Sequence, residues 1–215
     1  MLDLWAERWR RREATGDVIM VRYADDIVVG FQHEGDARRF WDAMRERLRA
    51  FSLTLHPVKT RLIEFGRYAA QNRERRGLGK PETFKFLGFV LMCDKSRRGD
   101  FRITRKSRRD RMCAKLREIK EGLRQRMHRP IPETGKWLGQ IVTGYFAYHA
   151  VPTNSPALSA CRYHVLVLWH RQLCRRSQRA RVLWTRMTKL ADEFLPPPRV
   201  LHPWPSVRFA VRHPR

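Results

Sequence analysis

Two adjacent aspartates interrupt an otherwise apolar stretch near the start of the chain. Asp25 and Asp26 lie in VIMVRYADDIVVGF, between two runs rich in Val and Ile that are typical of strands. A strand, a tight turn and a returning strand would carry both carboxylates to a hairpin tip. Mg²⁺ prefers such oxygen ligands and usually takes one or two carboxylates plus substrate phosphates. The pair could therefore support two-metal phosphoryl transfer.

The alternative is an ordinary turn, because Asp is common at hairpin tips. A solvent-facing turn, however, does not need an aromatic residue such as Tyr23 directly before it. The residues alone leave both interpretations open.

The composition favours a polyanion as partner. The chain has 215 residues, of which 42% are hydrophobic, so it can bury a core. Its 46 Lys and Arg against 21 Asp and Glu give a net charge of +25, as expected of a protein that binds a phosphate backbone. An anionic membrane surface could attract the same charge, but no apolar run of about 18 residues could span a bilayer. We expect nucleic acid as the partner and no membrane.

The cysteines give no sign of a metal or disulfide framework. They are far apart and form no CxxC pair, and the eight histidines are scattered among them. A zinc site therefore has no support, and without a signal peptide we expect a reduced, intracellular protein. The four positions are Cys93, Cys113, Cys161 and Cys174.

The spacing of apolar residues predicts an α+β fold, with a small sheet followed by an all-helical region and a boundary near residues 100–107. In the first part we expect an opening helix, the hairpin at 18–31 and a helix with its N-cap at Asp36. Further strands are predicted at 52–57, 60–66, 83–92 and 101–106, with a basic loop at 67–80. The second part should hold helices within 105–127, 137–152, 155–176 and 180–195, and then an extended tail laid along a surface.

Several motifs resemble one family in that family's order. RYADD followed by IVVGF resembles the YxDD signature of reverse transcriptases, and the form YADD is most similar to enzymes encoded by group II introns. LTLHPVKTRLIEFG resembles the next palm motif, although His56 and Val58 depart from the usual LNPEKT. FKFLGF resembles the succeeding palm motif, and GYFAYHAVPTN and LHPWPSVRF resemble the thumb, or maturase-specific X domain.

The resemblance implies a fold and a domain order. Residues 1–104 would be the C-terminal part of a reverse-transcriptase palm that carries the YADD hairpin. Residues 105–195 would be a helical thumb or maturase (X) domain, and 196–215 a Pro-rich basic tail.

The resemblance also implies roles for residues at the hairpin. Asp25 would be a Mg²⁺ ligand and Asp26 a second acidic member of the site. Because neighbouring residues of a strand face opposite sides, Asp25 is the better candidate for a direct ligand. Tyr23 and Ala24 would line the floor under the incoming nucleotide or the primer.

Three residues further along the chain receive roles in the same way. Lys59 matches a lysine that acts as general acid toward the departing pyrophosphate, for which an ammonium supplies both proton and charge. Leu87 and Gly88 would shape the primer grip, where Gly lets a backbone approach closely. The alternatives are a solvated surface lysine and a bulge or tight bend in the sheet.

Basic residues outnumber acids strongly after residue 96, which favours contact with the phosphates of a template-primer duplex or a folded RNA. The aromatic residues Tyr145, Phe146, Tyr148 and Trp169 could stack on bases, but aromatics at helical spacing are more often core. The residues predicted to bind RNA are Arg105, Lys106, Arg108, Arg109, Arg111 and Lys115.

The resemblance predicts an RNA-directed DNA polymerase that uses Mg²⁺, deoxynucleoside triphosphates and an RNA template with a DNA primer, or group II intron RNA in a maturase role. Such enzymes carry fingers and an earlier palm motif with another metal-binding aspartate, and neither Asp3 nor Asp17 lies in such a motif. We therefore expect a C-terminal portion of the enzyme, catalytically incomplete by itself, with an N-terminal fingers and palm segment as a candidate partner. No HNH-like module follows, so second-strand cleavage is not expected.

Two other functions stay open: a catalytically silent RNA-binding splicing cofactor, and a nonfunctional remnant with an uncovered sheet edge. The expected location is the bacterial cytoplasm, in a ribonucleoprotein.

Overall fold

The computed structural model describes residues 2–177 and 181–205, and these form two compact units, divided between Glu64 and Phe65. Helices and small antiparallel sheets make up both, in agreement with the predicted α+β class. No helix in the described ranges is both long and apolar enough to cross a membrane. The division into 1–104, 105–195 and 196–215 stays a prediction.

The first unit is a hairpin packed on two helices. Helix α1 (Leu2–Glu13) leads into strands β1 (Val18–Tyr23) and β2 (Asp26–Phe31), and helix α2 (Glu34–Arg49) follows. Side chains alternate along a strand, so Val18 faces a core with Trp9 and Phe40 while Ile19 and Tyr23 are exposed. The ring centroids of Trp9 and Phe40 are 5.0 Å apart. The predicted helix, hairpin and second helix are confirmed.

Asp36 has a different task from the predicted N-cap. Helix α2 begins at Glu34 with His33 at its N-cap position, which places Asp36 inside the first turn. Its buried carboxylate accepts hydrogen bonds from the backbone N–H groups of Thr15 (2.9 Å) and Gly16 (3.0 Å). The N-cap prediction was wrong because the partners lie 21 and 20 residues upstream, beyond the reach of local reasoning.

The predicted strands at 52–57 and 60–66 are absent from the described structure. Ser52 and Leu53 instead end helix α2, since the Leu53 N–H donates to the Leu48 carbonyl (3.0 Å) and Ser52 has a φ of 56°. This is the Schellman arrangement of a helix C-terminus. Pro57 then lies in a turn closed by the Thr60 N–H on the His56 carbonyl at 3.0 Å.

The second unit begins with a short helix and a three-stranded sheet. Helix α3 (Ala69–Arg75) lies where a loop was predicted. Strands β3 (Phe84–Phe86), β4 (Phe89–Lys95) and β5 (Phe101–Ser107) pair in that order, all antiparallel. The strand predicted at 83–92 is therefore a hairpin, whereas the strand at 101–106 is confirmed.

Four helices complete the second unit: α4 (Arg109–Gln125), α5 (Ile131–His149), α6 (Ser155–Cys174) and α7 (Trp184–Phe194). Their shared core is built from fully buried side chains, with Trp169 of α6 among the largest. Gly135 and Gly139 let α5 approach Phe194 closely, because a Cβ at either position would overlap atoms of that residue. The predicted helices are confirmed, but α5 begins at Ile131 rather than at 137, because Pro132 is tolerated in its first turn, and α7 begins at Trp184 rather than at 180.

The beginning of the tail contacts the end of α5. The backbone N–H groups of Leu201 and His202 both donate to the Ala150 carbonyl, at 2.9 and 3.1 Å. The predicted path of the tail beyond residue 205 lies outside the described residues, as does part of the LHPWPSVRF motif.

Candidate active site and nucleic-acid interface

The turn between β1 and β2 carries the aspartate pair. The strands pair in register up to Tyr23 opposite Asp26, which leaves Ala24 and Asp25 as a two-residue turn. Of these two, only Ala24 has a positive φ, at 52°. A positive φ at the first turn position alone is the type II′ pattern, whose twist suits an antiparallel hairpin. Asp25 therefore lies in the turn itself, and Asp26 is the first residue of β2.

Both carboxylates are exposed, and neither has a hydrogen-bond or ion-pair partner among residues 2–177 and 181–205. Within the same ranges, no three His, Cys, Asp or Glu side chains converge on one point. Two adjacent oxygen donors fit the one or two carboxylates that Mg²⁺ usually takes from a protein. The remaining ligands would have to come from water, substrate phosphates or groups beyond the described residues.

The exposed face of the hairpin continues from the turn along β1. Tyr23 is 65% exposed, and Ile19 and Val21 alternate with it on the same side of the strand. Arg22 donates to the Asp3 carboxylate of α1 at 2.6 Å, which ties the end of β1 to this helix. An aromatic and apolar surface thus adjoins the two carboxylates.

Lys59 lies in the turn that follows α2 and is exposed. The imidazole Nδ1 of His56 accepts the backbone N–H groups of Val58 (3.3 Å) and Lys59 (3.4 Å) in this turn. His56 thus does what the side chain of Asn commonly does in turns, which explains how the motif tolerates His at this position. No hydrogen bond or ion pair of the described residues joins Lys59 to either aspartate of the hairpin.

Leu87 and Gly88 form the two-residue turn between β3 and β4. Both have positive φ, 46° and 77°, which is the type I′ pattern. Their carbonyls are held from two sides: the Tyr148 hydroxyl donates to Leu87 O at 2.8 Å, and the Arg108 N–H donates to Gly88 O at 3.0 Å. The tight bend, one of the two interpretations, is therefore present. It holds Leu87 at a positive φ, which is unfavourable for any residue other than Gly.

Three of the six residues predicted to bind RNA are engaged within the protein. Arg108 binds the Asp110 carboxylate at 2.5 Å, and this hydrogen bond raises the pKa of the guanidinium. Lys115 pairs with Glu118 at 2.8 Å. Arg105 is half-buried, and burial lowers its pKa.

The other three, Lys106, Arg109 and Arg111, are exposed and have no ion-pair partner in the described part of the chain. Arg117 and Lys120 of α4 share this state. Exposed cations without a partner are the ones best able to replace the counterions of a phosphate backbone. Lys106 near the end of β5 and these four residues of α4 are therefore the better candidates for phosphate contact.

The four aromatic residues predicted as candidates for base stacking are either buried or held by contacts within the protein. Phe146 and Trp169 are buried in the helical core, which excludes them. Tyr145 packs against His149, with ring centroids 4.2 Å apart, and Tyr148 is committed to the turn at Leu87. Sequence reasoning missed the exposed rings of Tyr163 on α6 and Trp184 on α7.

Ser107, His149 and Asn154 form a polar cluster that the motif analysis did not identify. Asn154 donates from Nδ2 to Ser107 Oγ (2.7 Å), and the Ser107 N–H donates to Asn154 Oδ1 (2.9 Å). Ser107 Oγ lies 3.1 Å from His149 Nδ1. No acidic residue contacts this cluster in the described structure, and Asn154 occupies the serine hydroxyl, so the arrangement joins β5 to the α5–α6 loop rather than forming a nucleophile.

A family comparison gives these turns a common context. Residues 1–91 match the family model of reverse transcriptase (RNA-dependent DNA polymerase). We call the matched residues 1–91 the reverse transcriptase segment, after the model that they match; they contain the aspartate hairpin, Lys59 and the turn at Leu87. No curated protein matches the chain significantly.

The reverse transcriptase segment supports the coarse prediction from the YADD motif. The family implies a nucleic-acid template, deoxynucleoside triphosphates as substrates and a divalent metal. The match ends at Leu91 in β4, so it does not extend to α4–α7. A group II intron type, a maturase role and the helical thumb are not addressed by it.

Proposed function

We propose that the chain contributes the aspartate hairpin and the RNA-binding helices of a group II intron-type, RNA-directed DNA polymerase. The observation that carries this proposal is the exposed pair Asp25 and Asp26 at the turn between β1 and β2, which has no partner among the described residues and lies within the reverse transcriptase segment. Exposed carboxylates without an internal partner add little to the stability of the fold, and they are free to bind a cation from solution.

In this proposal Asp25 and Asp26 would hold Mg²⁺. Bound there, the ion would activate the primer 3′-hydroxyl and stabilise the leaving pyrophosphate. Tyr23 and Ala24 would support the nucleotide or primer from the exposed face of β1. The ammonium of Lys59 would donate a proton to the pyrophosphate oxygen, and the turn at Leu87 would position the primer backbone.

The number of carboxylates at the hairpin indicates that another polypeptide segment would complete the metal site. Only two meet at the hairpin among the described residues, whereas a two-metal site distributes several oxygen ligands over two ions. We propose that a fingers and palm segment supplies the further aspartate. Group II intron RNA in a bacterial cytoplasmic ribonucleoprotein is the proposed setting.

Primer extension tests the polymerase function. The full chain is incubated with an RNA template, a labelled DNA primer, deoxynucleoside triphosphates and Mg²⁺. Any incorporation should be abolished by Asp25→Asn, and incorporation by the chain alone would show that it needs no fingers and palm segment. Asp42→Asn, which removes a charge at an exposed position of α2 in the same unit, should leave incorporation unchanged. No incorporation by the unmodified chain would reject polymerase activity for it.

A second candidate function is RNA binding without polymerisation, as a splicing cofactor. It is favoured by the exposed cations Lys106, Arg109 and Arg111, which lie outside the reverse transcriptase segment. RNA affinity should fall steeply with salt, and each substitution by Ala should reduce the slope of log K against log salt by about 1. Loss of both incorporation and salt-dependent RNA binding would leave the nonfunctional remnant.

A further inference from the structure

Four aromatic and imidazole rings, three of them exposed and that of His170 half-buried, form a surface cluster on α6 and the start of α7. We call Tyr163, His164, His170 and Trp184 the ring cluster. Centroids are 5.7 Å apart for Tyr163 and His164, 6.3 Å for Tyr163 and Trp184, and 5.3 Å for His170 and Trp184. Tyr163 is 56% exposed and Trp184 42% exposed. Such large rings usually enter a core, so a continuous group of them at the surface points to a ligand.

The ring cluster rests on a rigid base. Tyr163 and His170 are seven residues apart, so they lie two turns apart on one face of α6. His170 Nε2 lies 2.8 Å from the carbonyl of Val182, which fixes the segment leading into Trp184 against that face. Beneath it, Met187 of α7 and Trp169 of α6 are fully buried. The rings are therefore presented by packed helices.

Most charged residues around the ring cluster are basic, and Asp192, which reaches the residue before Tyr163, is paired with Arg162 at 3.0 Å. The sequence has no Asp or Glu between Glu133 and Asp192, a stretch that contains all of α6 and most of α7. Three arginines flank the ring cluster in the sequence. Arg171 follows His170, Arg181 precedes Val182, and Arg186 lies two residues after Trp184. These arginines are exposed, and none has an ion-pair partner in the ranges that the structure describes.

We infer that the ring cluster binds unpaired bases of single-stranded RNA by stacking, while the neighbouring arginines contact its phosphates. Single-strand binders combine these two elements, because every base offers a π-face and every nucleotide a phosphate. The choice of RNA rests on the proposed function. A protein partner is a poorer fit, since stable protein interfaces use about 20–30 residues a side.

Fluorescence anisotropy with a labelled, unstructured RNA of about 12 nucleotides, within the usual site sizes, measures this binding on the full chain. Loss of one stacking ring should weaken binding roughly five- to 150-fold. We expect this of Tyr163→Ala and Trp184→Ala, and near-complete recovery in Trp184→Phe, which keeps a ring. Tyr68→Ala removes an equally exposed ring elsewhere in the same unit and should have no effect.

An abasic oligonucleotide of the same length separates stacking from charge. It retains the phosphates, so the ring variants should bind it as the unmodified chain does, whereas Arg171→Ala should weaken binding to both oligonucleotides. Equal loss on both from Tyr163→Ala, or no loss on either, would overturn the inference. Ring-dependent binding of DNA but not RNA would overturn the assignment to RNA. Ring-dependent dimerisation in sedimentation velocity, with RNA binding unchanged, would assign the surface to a protein contact instead.

Failure of this inference is distinct from failure of the proposed function. Primer extension together with ring-independent RNA binding would reject only the ring cluster. Ring-dependent RNA binding without any extension would reject the polymerase and leave the ring cluster as an RNA site.

Discussion

Asn154 should be one of the most important polar residues for the stability of the second unit. It is 1% exposed, and its amide makes three hydrogen bonds, to Ser107 N (2.9 Å), Ser107 Oγ (2.7 Å) and His149 O (2.8 Å). Asn154→Ala removes all three and leaves the Ser107 N–H without an acceptor, whereas the His149 carbonyl keeps the Val151 N–H as a donor at 2.8 Å. At about 0.5–1.5 kcal/mol for each bond, we expect the free energy of unfolding to fall by about 2–4 kcal/mol.

Urea unfolding measures the loss, and amide hydrogen exchange locates it. The midpoint of the transition of this unit should fall by roughly 1–2 M. The Ser107 amide should lose protection more than its neighbours in β5, because its acceptor is deleted. Asn154→Asp keeps the Oδ1 acceptor, so the Ser107 amide should keep more of its protection than in Asn154→Ala. Asn72→Ala, on the exposed surface of α3, should change stability by less than about 0.5 kcal/mol.

A loss below about 1 kcal/mol for Asn154→Ala, with Ser107 still protected, would refute this reasoning. It would mean that the joint between β5 and the α5–α6 loop depends on apolar packing rather than on the amide. The residue ends the GYFAYHAVPTN motif, so the result also shows whether that motif is structural.

Three further predictions concern the backbone and one buried imidazole. Ala24→Gly should stabilise the first unit by about 0.5–1 kcal/mol in urea unfolding, because Gly adopts the positive φ without strain; a loss would contradict the turn geometry. Gly139→Ala should destabilise the second unit by about 1–3 kcal/mol, since the new methyl group would overlap the Phe194 carbonyl; an unchanged midpoint would show that α7 can move away. Burial lowers the pKa of His149 below its usual 6.5, so its contribution is complete above about pH 6.5 and is lost as the pH falls below that value. The difference in unfolding free energy between pH 7.5 and 5.5 should therefore shrink in His149→Gln, and an equal difference in both proteins would contradict this.

The spacing of apolar residues and the turn residues predicted those helices and strands that depend on local sequence. The hairpin at Asp25 and the helices follow from apolar spacing, and the turn lies where the acidic residues interrupt the strands. The predicted strands after α2 were wrong because Ser52 and Leu53 are used to end the helix, and strand propensity has no effect without a pairing partner. At 83–92, Gly88 signalled a bend, but the positive φ of Leu87 could not be read from a residue that disfavours it.

Interactions between distant residues account for most of what the sequence did not reveal at the site. Asp36 binds the backbone of Thr15 and Gly16, and the spacing of residues along the chain does not predict such a contact. Whether a basic residue is available to RNA depends on neighbours, as the pair Arg108 and Asp110 shows. The exposure of Trp184 likewise follows from the packing of α7. An indirect signal was present in the acid-free stretch between Glu133 and Asp192.

Paramagnetic relaxation by Mn²⁺, a substitute for Mg²⁺, most directly tests whether the hairpin carboxylates hold a divalent cation. In ¹H–¹⁵N spectra of the full chain, the amides of Ala24, Asp25 and Asp26 should broaden at lower Mn²⁺ concentrations than those of Asp192 and Glu193, a second adjacent acidic pair. The broadening at the hairpin should disappear in Asp25→Asn with Asp26→Asn. Broadening at both pairs over the same concentration range, or none at the hairpin, would contradict the metal site.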